Sequence, residues 1–351
     1  MVELTTKPFG LYLNQEITEY TVTNKNGVAL SAIPYGAIVT KIVTPDKSGQ
    51  EADITLNVET LEDMIAHRPF YGATIGRVAG RITDGQYKIE GKQVQLEVNE
   101  KGNQLHGGPA GLDTKLFKVE TKETAEAISL LFTYKSLDGE EGFPGNLTVT
   151  VEYQLNEQNE WTIRYTANTD QTTLFNPTNH IYFNLTGDIK KPIVTHTLQL
   201  ASTKHGTLGE RNLPTGELVS SIGTSFDFSK PKLLKEAILS DEPQISSLSG
   251  LDHPFVLENR GSEPQAILTN QESGRKVEMH TDENSVVIYT HNAEMDAFSI
   301  QGEPARQYAG ITLETQALPD AVNHDGFGNI VLQPNETYQS ETVYRFGLIE
   351  E

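Results

Sequence analysis

The stretch Leu147-Thr148-Val149-Thr150-Val151-Glu152-Tyr153-Gln154-Leu155 alternates apolar and polar residues without a break. After the Asn156–Glu160 turn the alternation resumes at Trp161, Ile163, Tyr165 and Ala167. Side chains on a strand point to opposite faces in turn, so this pattern describes two antiparallel strands that bury one face and wet the other. Shorter copies of the period lie on both sides. Tyr87 and Ile89 alternate, then Val94, Leu96 and Val98, then Ile128, Leu130 and Phe132. Asn26-Gly27, between Tyr20-Thr21-Val22 and Val28-Ala29-Leu30, is a hairpin signal. Glu90-Gly91-Lys92, Asp138-Gly139 and Ser273-Gly274 punctuate the chain in the same way. Helical periodicity is confined to Leu61–Ile65 and Leu233–Leu239. The reading is all-β, a single large antiparallel β-sandwich domain over residues 1–351.

Composition narrows the function. The 351 residues carry 48 acidic and 27 Lys or Arg side chains, a formal net charge of −21. That field repels phosphate backbones and anionic lipid, so neither nucleic acid nor membrane is expected as a partner. The chain has no cysteine, which excludes disulfides and thiolate metal sites. Met1 to Pro8 lacks a basic segment followed by an apolar one, and the expected location is cytoplasmic. There is no H-E-x-x-H and no phosphate-cradling glycine loop, so no metal and no cofactor is expected. Nothing distinguishes a monomer from a homodimer.

Five segments break the alternation with polar and glycine-rich clusters. They are Gly76-Arg77-Val78-Ala79-Gly80-Arg81-Ile82, Gly102-Asn103-Gln104-Leu105-His106-Gly107-Gly108, Asn176-Pro177-Thr178-Asn179-His180-Ile181-Tyr182-Phe183-Asn184-Leu185, Leu251-Asp252-His253-Pro254-Phe255 and Gly310-Ile311-Thr312-Leu313-Glu314-Thr315-Gln316. The density of amide and hydroxyl groups around His180 suits a polyhydroxylated ligand.

In this order, with Glu141-Gly142-Phe143-Pro144-Gly145 and Tyr289-Thr290-His291-Asn292 in support, these segments resemble the galactose mutarotase (aldose 1-epimerase) family. The resemblance runs from the Asn26-Gly27 hairpin to Glu314 and beyond. It implies a β-sandwich of the galactose-mutarotase type with an open sugar-binding cleft, and an isomerase that interconverts the α and β anomers of a free aldose. Opening the ring hemiacetal needs one proton taken from the C1 hydroxyl and one given to the ring oxygen, which a carboxylate and an imidazole can supply alone. By resemblance Glu314 is the base, ionised at the start, and His180 the acid, protonated at the start. His106 is the second active-site histidine. Arg81 and Asp252 hold sugar hydroxyls, and Asn103, Tyr182, Gln316 and His291 line the cleft. Many family members carry Asn where this chain has Gly80, which bears on sugar preference. Arg77 and His253 are read as structural.

Three other readings stay open. A glycoside hydrolase needs two facing carboxylates, for which Glu314 and Asp252 are the candidates. A hexose-6-phosphate epimerase needs a cationic pocket, and the only Lys or Arg residues in the five segments are Arg77 and Arg81. A carbohydrate-binding module needs no proton-transfer groups at all.

Overall fold

The computed structural model describes residues 1–350, the side chains of residues 295 and 296 excepted. Its largest sheet has nine antiparallel strands. They run in the order Lys118–Glu123, Ala127–Ser136, Leu147–Asn156, Glu160–Thr169, Tyr338–Leu348, Arg275–Thr281, Ala266–Thr269, Thr197–Leu200 and Lys232–Leu233. The C-terminal strand therefore pairs at the centre of the sheet, beside Glu160–Thr169. A five-stranded antiparallel meander, Glu3–Tyr12 to Glu51–Asp53, forms the N-terminal sheet. A third sheet has the order Pro214–Ser220, Lys204–Leu208, Asp252–Val256, Ser285–Tyr289 and Glu314–Gln316.

The period of two places the core. Leu147, Val149, Val151, Tyr153 and Leu155 are all buried, and the residues between them face outward. They form one apolar cluster with Trp161 and Tyr344 of the same sheet, Leu30 and Val39 of the N-terminal sheet, and Phe255 and Ile288 of the third. The large sheet thus lies face to face with both smaller ones, a sandwich in which each sheet hides its apolar side against another. The two short helical patterns form helices Leu61–His67 and Leu234–Ile238. Among the described residues no helix is long and apolar enough to cross a membrane.

The Asn26-Gly27 hairpin joins strands Gln15–Thr23 and Ala29–Ile33. Its last strand pair is Thr23 with Ala29, and the Asn24 side-chain oxygen accepts from the backbone N–H groups of Asn26 and Val28. One local expectation needs correcting: the alternation at Val94–Val98 leaves the strand after Gln95, and Val98 is exposed.

Arg77 is structural, as read. Its buried guanidinium donates six hydrogen bonds: to the Ser136 and Thr173 hydroxyls and to the carbonyls of Ser136, Leu137, Pro144 and Gly145. It pins the Glu141–Gly145 segment to the segment that carries Arg81. Arg77→Met is expected to lower the unfolding free energy by about 3 kcal/mol or more, because four buried carbonyls lose charged donors. Urea unfolding measures it, and a change below about 1 kcal/mol contradicts this account.

Candidate active site

The third sheet forms the floor of one cleft, and strand alternation selects what faces it. Asp252 and Pro254 point into the cleft, as do Val287 and Tyr289 on the next strand and Glu314 and Gln316 on the last. Register holds Tyr289 beside Asp252 and Val287 beside Glu314. The intervening residues turn away: His253, Phe255, Val286 and Ile288 are buried, and Thr315 hydrogen-bonds Thr342 of the large sheet. His253 is therefore a framework residue one position from a cleft residue. Its Nδ1 accepts from the Asp252 backbone N–H, and its ring packs edge-on against Phe226.

Short two-stranded ribbons supply the walls. Arg81–Ile82 pairs with Gln104–Leu105, which sets Arg81 close to His106. Tyr182–Phe183 pairs with Ile311–Thr312, which brings the His180 segment against the strand leading to Glu314. Gly107 has to be glycine, since its φ is +82° and a Cβ there would lie 1.8 Å from the Gly76 carbonyl oxygen. That close approach holds His106 over the cleft.

At the bottom, His180 Nε2 lies 3.5 Å from Glu314 Oε1, too far for a direct hydrogen bond. The nearest ring nitrogens and carboxylate oxygens of His106, His180 and Glu314 all fall within 4.8 Å of one another. The Thr312 hydroxyl donates to Glu314 Oε1 at 3.0 Å. The Gly80 N–H donates to His106 Nδ1 at 3.2 Å, so the His106 proton sits on Nε2, a donor directed to the cleft. Phe70 packs on both imidazoles, with ring centroids 5.0 Å from His106 and 5.9 Å from His180. The Gln316 amide is fully buried, and among the described residues neither its oxygen nor its nitrogen has a partner, which marks it as waiting for a polar ligand.

Burial governs the ionisation of this group. It raises the Glu314 carboxyl to about 8, against small opposing help from the Thr312 hydroxyl. It lowers His180 to about 4. His106 is held well below the ordinary range by burial and by the nearby His180 and Arg81. The resting pair at neutral pH is therefore a carboxylic acid beside a neutral imidazole. The proton count equals that of the expected ionised Glu314 and protonated His180, and burial favours the arrangement without charge separation.

Arg81 and Asp252 face one another across the cleft, Nη1 to Oδ2 at 3.7 Å, and Arg81 also pairs with Glu100. Tyr182, Gln316 and His291 line the cleft as expected. Asn103 does not. It is fully buried behind the wall, where its side-chain oxygen accepts from the Asp84 N–H and its backbone closes the Glu100–Asn103 turn. The amide cluster around His180 is framework too. Asn176 is bonded through both side-chain ends to Ala317, Asn179 donates to the Gly72 carbonyl and the Tyr153 hydroxyl, and Asn184 donates to Lys191 and Ala309. These residues position His180 rather than touch the cleft. Cleft residues that sequence reading passed over include Arg68, Phe70 and Tyr71, and Tyr289, quoted there only within its segment, lines the cleft too. The Arg68-Pro69-Phe70-Tyr71-Gly72 run was the available signal, with two aromatics beside a glycine four residues before Gly76. Tyr71 Oη lies 2.5 Å from His291 Nε2, so the two form one wall.

An all-β sandwich with a buried carboxyl–imidazole pair at the foot of an open cleft defines a class: a sugar-binding protein equipped for proton transfer. Comparison with known proteins agrees. Residues 18–345 match the aldose 1-epimerase family. The chain is 32% identical to maltose epimerase of Levilactobacillus brevis, over 98% of this chain and 99% of that one. It is 34% identical to galactose mutarotase of Bos taurus, over 99% and 100%. The crystal structure of galactose 1-epimerase from Lactobacillus acidophilus superposes with a TM-score of 0.89 at 30% identity, over 100% of both chains. The chain belongs to the aldose 1-epimerase family and is an isomerase.

Proposed function

We propose that this protein, acting as one domain over residues 1–351, interconverts the anomers of a free aldose by acid–base ring opening at Glu314 and His180. The observation that carries the assignment is the placement of these two buried groups 3.5 Å apart, both opening onto the cleft. Glu314 takes the C1 hydroxyl proton and His180 gives one to the ring oxygen. Rotation about C1–C2 and reclosure reverse both transfers, so no external donor is consumed. His106, donating from Nε2, hydrogen-bonds the same ring region. Arg81, Asp252, Gln316 and Tyr182 hold the remaining hydroxyls. Binding itself prepares the pair: sugar hydroxyls that donate to the Glu314 carboxylate favour its ionised form.

The rivals fit less well. The arginines that reach the cleft are already paired, Arg81 with Glu100 and Asp252 and Arg68 with Asp113, so among the described residues no unpaired arginine faces a sugar phosphate there. For a hydrolase, the second carboxyl, Asp252, is committed to Arg81.

Polarimetry of freshly dissolved α-D-glucose and α-D-galactose tests the activity, with reducing ends assayed in parallel. Accelerated mutarotation without new reducing ends is expected. The His106, His180 and Glu314 spacing would also suit a divalent cation, so the metal question is put directly. Activity is expected to survive exhaustive dialysis against a chelator. Loss on dialysis with recovery on adding a divalent ion would overturn the cofactor-free scheme.

A further inference from the structure

The chain from Ile311 to Gln316 changes neighbours halfway along. Ile311 and Thr312 pair with Phe183 and Tyr182, whereas Glu314, Thr315 and Gln316 pair with Val287, Val286 and Ser285. The change falls on Leu313, whose carbonyl accepts from the Tyr344 hydroxyl of the large sheet at 2.7 Å. Val287 is the last residue of its strand in that second ladder, so the Tyr289 N–H beyond it needs an acceptor other than a ladder carbonyl. The Thr312 hydroxyl oxygen takes it, at 3.1 Å.

A hydroxyl has one proton to give. With an N–H already donating to its oxygen, Thr312 gives that proton to Glu314 Oε1, at 3.0 Å. The backbone thus fixes the direction of this bond, and Thr312 is fully buried. Oε1 is also the oxygen that lies 3.5 Å from His180 Nε2. In a neutral carboxyl the better acceptor is the carbonyl oxygen, so an Oε1 that accepts from Thr312 leaves the resting proton on Oε2. Oε2 accepts from no described residue, and the side chain that carries it lines the cleft. Thr312 therefore sorts the two oxygens: one is anchored to the framework, the other is left for a ligand.

We propose that Thr312 is a positioning residue for the reaction: by holding Oε1 it makes Oε2 the oxygen that exchanges the C1 hydroxyl proton, and it keeps the carboxyl from passing its proton straight to His180. This rests on the mutarotase reading of Glu314, and it adds which atom works and what directs it. The step balances as before. The C1 O–H bond breaks as an Oε2–H bond forms, the bond from C1 to the ring oxygen breaks, and the ring oxygen takes the proton from His180. Reclosure reverses each change.

The test is the pH profile of Thr312 variants of the full chain, by polarimetry of α-D-glucose and α-D-galactose corrected for the spontaneous rate. The titratable and charged groups facing Glu314 are His106, His180, Arg81 and Asp252, with the phenols of Tyr182, Tyr289 and Tyr344. Burial holds the three phenols above their ordinary range, so the alkaline limb near pH 8 reports Glu314. Burial raises the Glu314 carboxyl, and the Thr312 hydroxyl, donating to its charged form, opposes that rise. Thr312→Val removes the donor at nearly constant shape. It is expected to lower kcat about tenfold with KM changed less than about threefold, and to move the alkaline limb of kcat/KM upward by about one pH unit. Thr312→Ser restores the hydroxyl and is expected to bring the limb back. Where Thr312→Val fails to fold, Thr312→Ala, which sets no extra methyl against the Tyr289 N–H, is expected to show the same upward shift. Lower activity with the limb unmoved makes Thr312 a packing residue and overturns the proposal while keeping the mutarotase reading. Wild-type kinetics without the hydroxyl, or a downward shift, overturns it as well. No acceleration of either sugar by the wild type overturns the mutarotase reading and the proposal with it.

Discussion

Glu314→Gln is expected to lower kcat/KM for mutarotation by roughly a hundred- to ten-thousand-fold, the usual contribution of one positioned proton-transfer group. The amide keeps the shape of the side chain and can still accept from the Thr312 hydroxyl, which reaches Oε1 at 3.0 Å. What it loses is the ability to receive the C1 proton. Sugar binding, followed by calorimetry, is expected to change by less than tenfold, because Arg81, Asp252 and Gln316 are untouched. His180→Asn is expected to lose activity on the same scale. Its neighbours Asn176, Asn179 and Asn184 are bonded to the framework, so the backbone that presents residue 180 stays in place. The two groups act in one proton exchange, so the double variant should be far less than multiplicatively worse than either single one. Near-wild-type turnover in Glu314→Gln ends the assignment. A fully multiplicative double variant shows two independent roles and ends the pairing.

The architecture was readable because strand periodicity is local. Leu147 to Leu155 and Trp161 to Ala167 state which face is buried, and the large sheet follows from them. The site was readable in part, and the division has a physical cause. Residues on regular strands declare their side by parity: Asp252, Glu314 and Gln316 reach the cleft, while His253 and Thr315, one residue away, do not. Polar clusters in irregular segments carry no such marker. Asn103, Asn176, Asn179 and Asn184 look like ligand contacts in sequence, yet a bent backbone leaves N–H and C=O groups unpaired, and these amides satisfy them. Ionisation was the other hidden property. Glu314 and His180 name the chemistry, but only their depth in the fold shows that the resting proton sits on the carboxyl.

The pH dependence tests that hidden proton. Between about 4 and about 8 the Glu314–His180 pair holds one proton, because burial lowers the imidazole and raises the carboxyl. Below about 4 His180 gains a proton, the pair holds two, and no base is left for the C1 hydroxyl. Above about 8 Glu314 loses its proton, the pair is empty, and no acid is left for the ring oxygen. The acid limb of kcat/KM thus reports the imidazole and the alkaline limb the carboxyl, the reverse of their order in water, and each limb falls about tenfold per pH unit. His291, lowered to about 4 by burial in the same wall, titrates in the acid region as well, so the limbs alone do not assign the groups. The single variants do. With Gln at 314 the remaining catalyst is a protonated imidazole, so the residual rate should fall as pH rises above about 4. With Asn at 180 the remaining catalyst is an ionised carboxylate, so the residual rate should climb with pH toward about 8 and level off beyond it. The profiles of the two weak enzymes should therefore slope in opposite directions across neutrality, where the wild type is flat. Parallel slopes, or a wild-type profile with no loss between pH 8 and 10, would show that the proton is held elsewhere and that these two residues are not the exchanging pair.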